Sequence, residues 1–147
     1  MRYTVAREPQ IHYAERRPMA TVRLSEAQLY TLLDHGGAIT MDCSEGVTCL
    51  CKWAGLHDPN GRGYDGSGYT GTLLAHLRHY SEPAAAYVGA IVVFGPAPGD
   101  HAAMVMARGG DPLLWSHGFE GGPRVVPFTV ERSVHRSPAT FLSIAPL

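Results

Sequence analysis

A thiol and two imidazoles are the residues of this chain best suited to chemistry. Cys43 stands in "TMDCSEG", between Asp42 and Ser44, ahead of an apolar run whose Val47, Leu50, Cys51 and Ala54 recur at helical spacing. Asp42 can cap the first turn while Glu45, three residues on, closes a capping box, and Gly55 stops the run. The expected helix therefore begins at Cys43. There the free backbone amides and the positive end of the helix dipole favour thiolate over thiol. A thiolate becomes a catalyst only with a base in hydrogen-bond reach and a group that fixes the tautomer of that base.

Two histidines could supply these. His101 opens the run "HAAMVMA", where alternation places His101, Ala103 and Val105 on one face of a strand. His117 lies just past Leu113–Ser116, at the end of the next expected strand. A histidine that starts one strand can meet a histidine that ends its antiparallel neighbour. A lone strand histidine is usually a satisfied structural residue, so each gains meaning only from the other.

These residues need elements to position them. Residues 1–24 mix Arg, Glu, Pro and Tyr without periodicity and read as an arm with one short strand at most; residues 25–147 read as a single domain. Ser25 and Gln28 open a first helix, with Leu29, Leu32 and Leu33 on its apolar face and Gly36 or Gly37 at its end. The helix at Cys43 is the second, and "TLLAHLRHYSEP" reads as a third, stopped before Pro83. Between them, "LHDPNGRGYDGSGYTG" is too long for a simple connector; Tyr64 and Tyr69 in it are candidates for a cleft wall or lid, against a plain surface loop. From Gly89 onward "GAIVVFG", "HAAMVMA", "PLLWSHG", "RVVPFTV" and "TFLSIAP" are short apolar runs split by Gly, Pro and Asp, as in a meander of strands. Helices followed by strands indicate an α+β domain.

Composition sets bounds. The 147 residues carry 45% hydrophobic and 17% charged side chains, as in an ordinary globule, and a net charge of −1 argues against a nucleic-acid partner. No signal peptide is expected from "MRYTVAREPQ", and no window approaches the ~18 apolar residues of a membrane span. Three cysteines in C-x5-C-x-C spacing do not form a disulfide framework. Cys49-x-Cys51 and His76-x-x-His79 lack zinc-site spacing, so neither metal nor cofactor is expected.

In order and spacing, "DCS" opening a helix, a strand of the type "GAIVVF", then "HAAMVM" and a polar residue ending the following strand resemble the NlpC/P60 cysteine peptidases. The resemblance spans Thr40 to about His117. It implies a papain-like α+β fold, with N-terminal helices and the nucleophile at a helix start packed on an antiparallel sheet. It also implies Cys43 as nucleophile, His101 as base and His117 as the group that orients the imidazole. Asp42 would recognise a free amino group of a wall stem peptide, with Ser44 beside it at the cleft. The expected partner is bacterial peptidoglycan. With no leader evident, the expectation is synthesis in a host cytoplasm and delivery on a phage or phage-like tail, in contact with tail proteins. Two other readings share these residues: a silent structural tail component, and another thiol acyl-transfer enzyme such as a deamidase or acyltransferase. The chain departs from the family pattern in having Glu45 where glycine usually follows "DCS", and in lacking a tyrosine shortly before the cysteine.

Overall fold

The computed structural model describes residues 3–4, 40–80, 86–117 and 124–146. The arm and the helix expected around residues 25–37 lie outside them, apart from β1 (Tyr3–Thr4), which pairs antiparallel with β2 (Thr40–Met41). β2 leads directly into α1 (Cys43–Trp53). After the glycine-rich loop come α2 (Thr70–His76), β3 (Leu77–Tyr80), β4 (Ile91–Phe94), β5 (His101–Ala107), β6 (Leu113–Ser116), β7 (Arg124–Pro127), α3 (Phe128–Val134) and β8 (Ala139–Pro146). The larger sheet has six strands in the order β3-β8-β4-β5-β6-β7, every pair antiparallel, so the described residues form an α+β fold.

The central strands set the core. All of β4 and the first six residues of β5 are buried, which requires cover on both faces of the sheet. α1 packs on β5. α3 covers the face that bears Phe94: the Phe128 ring stacks on Phe94 at 5.8 Å and tilts against Phe141 at 5.3 Å. A bidentate ion pair closes the far end of α3, where Arg136 reaches both carboxylate oxygens of Asp100 at 2.8 and 2.7 Å.

Two expectations need correction. The run from Thr72 to Pro83 is not one helix: α2 ends at His76, and Leu77–Tyr80 continue as β3. β3 pairs with β8 (Arg78↔Ser143, His79↔Leu142, Tyr80↔Phe141), and this ladder outweighs local helix preference. The run "RVVPFTV" is likewise not one strand, since the chain turns into α3 at Phe128.

The long loop is an ordered connector. Both carboxylate oxygens of the buried Asp58 accept backbone N–H bonds, from Asn60 on one oxygen and from Arg62 and Tyr64 on the other. The Asn60 amide donates to Thr48 Oγ1 of α1 at 3.0 Å and accepts from Thr72 Oγ1 of α2 at 2.6 Å, so one side chain joins both helices to the loop. Gly99, at φ +92°, lies where a Cβ would meet Val93 Cγ1 at 2.6 Å, and its carbonyl accepts from Thr70 Oγ1. The turn that launches His101 is thus held against the start of α2.

Asn60→Ala is expected to destabilise the protein by about 1–3 kcal/mol, because it removes the two buried hydrogen bonds that join both helices to the loop, while Thr48 Oγ1 keeps Ser44 O and Thr72 Oγ1 keeps Tyr69 O. Arg62→Ala, at an exposed side chain bonded to Ser67, should stay within about 0.5 kcal/mol. Urea unfolding of the two variants beside the parent chain measures both.

Candidate active site

α1 starts as its sequence directs. Asp42 is the N-cap; its Oδ1 accepts the Glu45 N–H at 2.9 Å and the Ser44 hydroxyl at 3.0 Å, and Glu45 Oε2 accepts the Asp42 N–H at 2.8 Å. The reciprocal box turns the Glu45 carboxylate back along the chain to the residue ahead of Cys43. Cys43 is the first residue of the helix and is half-buried, whereas Cys49 and Cys51 are buried. Burial, with Asp58 and Cys49 nearby, pushes the Cys51 thiol far above its ordinary range, so it stays protonated and packs as an apolar group.

His101 reaches Cys43 from β5. Burial by itself pushes this imidazole's pKa down. Hydrogen bonds to the side chains of Cys43 and Glu131, and the negative charge of both, more than offset that effect and raise it to about 9. Nε2 lies 2.8 Å from Ser116 Oγ and 2.9 Å from Glu131 Oε1. Ser116 Oγ donates its own proton to Glu131 Oε1 at 3.0 Å. A hydroxyl that gives away its proton and an ionised carboxylate can both only accept from Nε2. The proton on Nε2 is therefore fixed, so a proton shared with the Cys43 sulfur would lie on Nδ1.

Ser116 and Glu131 are the partners on Nε2, where the sequence reading placed His117. Strand register explains the difference. Ala103 pairs with Ser116, so Ser116 shares the face of His101 and Ala103, while His117, one residue on, has the opposite parity. His117 is still close by: it is buried, its ring stacks on Trp115 at 6.2 Å, and the charges of Asp42 and His101 both act on it. Burial is the largest influence and lowers its pKa.

Glu131 was not foreseen as a functional residue, because its segment reads as a strand. A signal for it exists in the sequence: Phe128, Glu131 and His135 follow Pro127 at intervals of three and four, one face of a helix. That face brings a carboxylate with 1% exposure onto the imidazole of β5.

Of the proposed substrate-side residues, Asp42 is half-buried and Ser44 is buried and bonded to it. Tyr64 is no lid residue: it is buried, its hydroxyl donates to Leu56 O at 2.7 Å, and Lys52 Nζ lies 4.8 Å from its ring. Tyr69, the residue that caps α2, is 53% exposed.

His101, Glu131 and His135 bring three potential metal ligands within 4.8 Å of one another. The two rings, however, are stacked with centroids 4.4 Å apart and planes 10° from parallel. An imidazole binds an ion in its own plane, and an ion in the plane of one ring lies well off the plane of the other. The cluster suits a shared proton better than a metal.

An imidazole NMR titration is expected to place the His101 midpoint near pH 9, and Glu131→Gln should lower it by about one unit or more. The raised value also carries a sign for stability. The stabilisation from His101 is fully present below its ordinary value of 6.5 and is lost as pH rises through about 9. Thermal melts across that window should fall more steeply for the parent chain than for Glu131→Gln. Family models, curated proteins and solved structures were all compared with this chain, and none matches it.

Proposed function

We propose that this chain is a papain-like thiol hydrolase, of the kind the NlpC/P60 resemblance implies, that cuts peptide bonds in the stem peptides of bacterial peptidoglycan. The observation that carries this reading is the convergence of a half-exposed Cys43 at the head of an 11-residue helix with His101, backed by the buried Ser116 and Glu131. Glu131, with Ser116, takes the orienting position that the sequence had given to His117. Delivery on a phage or phage-like tail, in contact with tail proteins, belongs to the same proposal.

The chemistry follows from the proton positions. The Cys43 sulfur, as thiolate beside the His101 imidazolium, attacks the carbonyl carbon of the substrate amide and forms a C–S bond. The carbonyl π electrons move to oxygen, which the backbone N–H of Cys43 at the helix start stabilises. Collapse of this oxyanion breaks the C–N bond as His101 Nδ1 gives its proton to the leaving nitrogen. Nδ1 then takes a proton from water, whose oxygen attacks the thioester; the C–S bond breaks, the acid leaves and the thiolate returns. Throughout, Glu131 Oε1 holds Nε2–H and stabilises the charged ring. The Asp42 carboxylate would receive a free amino group of the stem peptide, since the helix cap uses only one of its two oxygens in the bonds given above.

Incubation with peptidoglycan or a γ-D-glutamyl stem peptide should release new amino termini. Cys43→Ala should abolish the release and keep the fold, and Glu131→Gln should lower kcat by roughly 10²–10⁴-fold. Trapping the thioester and weighing its acyl group separates peptide hydrolysis from other thiol acyl transfer. Well-folded parent chain that releases nothing from several wall chemistries and traps no acyl group would instead make it a structural tail component.

A further inference from the structure

The proposed triad has no need of a second imidazole, yet one is packed against it. His135 follows α3, is half-buried, and lies flat on two rings: on His101 at 4.4 Å with planes 10° apart, and on Phe94 at 5.3 Å with planes 29° apart. Its Nε2 donates to Glu131 Oε1 at 3.2 Å. That same oxygen is 2.9 Å from His101 Nε2 and 3.0 Å from Ser116 Oγ. Two imidazoles therefore compete for one buried oxygen atom.

The charges around His135 come from every side of it. Glu131 approaches from its own helix and His101 from β5. Asp100 lies in the turn before β5; its carboxylate responds to the charge of His135 and is held by Arg136. Beyond His101 stand Cys43 and Asp42 from α1 and His117 after β6. One positive charge on the stacked pair is matched by Glu131. Two are not, because like charges in a stack of this spacing repel through a medium that screens them poorly.

We propose that His135 is a positioning residue through which pH gates the site: neutral, it steadies Glu131 and the His101 ring, and protonated on Nδ1, it switches the thiol off. In the charged state its Nε2–H takes a larger share of Glu131 Oε1, and its charge repels the imidazolium form of His101. The proton on His101 Nδ1 then returns to the Cys43 sulfur, and the thiolate becomes a thiol. His101 is nearer than Cys43 to the added charge in this stack, so the ion pair loses more than the neutral pair. The elevated affinity of His101 for its proton, described above, is what the gate would cancel. This inference rests on the reading of Cys43 and His101 as the reactive pair.

Thiol alkylation tests it without any assumed substrate. The rate of iodoacetamide labelling at Cys43, located by peptide mass, is followed against pH for the full chain, for His135→Phe and for His135→Gln. Phenylalanine keeps the flat ring, glutamine keeps a donor for Glu131, and neither can charge. The parent chain should lose Cys43 reactivity on the acid side over the range in which imidazole NMR shows His135 gaining its second proton. In both variants that limb should move to lower pH by roughly one unit. A limb that stays in place in a folded variant overturns the proposal, as does a wild-type His135 that takes up its proton outside the range of the limb. That second measurement needs no variant and decides the matter if neither substitution folds. A parent chain whose Cys43 is no more reactive than an ordinary thiol at any pH would overturn the Cys43–His101 reading instead.

Discussion

A single buried carboxylate oxygen ties the site to the fold. Glu131 is 1% exposed, and an ionised carboxylate placed there without partners would be too costly to keep. Its Oε1 meets Ser116 from β6, His101 from β5 and His135 from beyond α3, so three segments are fixed by one group. The short α3 has little helical stability of its own. It is held by this polar cluster at one point, by Phe128 between Phe94 and Phe141 at another, and by Arg136 on Asp100 at its end. The exposed Arg136–Asp100 pair adds geometry more than energy, since water and salt screen it. What it fixes is the distance between the end of α3 and the turn before His101.

The opposite side of the imidazole depends on a different balance. A thiol at a helix head gains from backbone amides, and a carboxylate aimed into the same turn would undo that gain. Glu45 is such a carboxylate in sequence, but its Oε2 is spent on the Asp42 N–H, so its charge sits beside the chain entry. The capping box thus accounts for the position of this carboxylate. Asp42, by contrast, lies close enough for its charge to act on His117, which places acid and imidazole together on that flank of the site.

Much of this was legible in the sequence, and the failures share one cause. The capping box of Asp42 and Glu45 is a local signal with a local outcome, and α1 begins at Cys43 as it dictates. "IVVF" and "HAAMVMA" are apolar enough to admit only buried strands. Where a segment's state depended on a distant partner, local reading erred. Leu77–Tyr80 is extended because β8, more than sixty residues later, offers an edge to pair with. Phe128–Val134 holds three β-branched residues and imitates a strand, yet its burial pattern hides Phe128 and Glu131 and exposes Val130 and Val134. The apolar valines pointed one way and the buried acid decided the other. His117 failed as the neighbour of Nε2 by one residue, since parity along a strand cannot be known before its register is.

The identity of the group behind the imidazole also matters for the resting state. A neutral residue there would orient the ring and leave the proton to be divided between sulfur and nitrogen on their own terms. A buried carboxylate adds a fixed negative charge on the far side of the ring, so the site favours a protonated His101. The Cys43 side chain is the other hydrogen-bond partner that raises this affinity for a proton. On the proposed reading, carboxylate, imidazolium and thiolate would alternate in sign during the reaction, each stabilising its neighbour. The proposed role of Cys43 as nucleophile rests on that alternation.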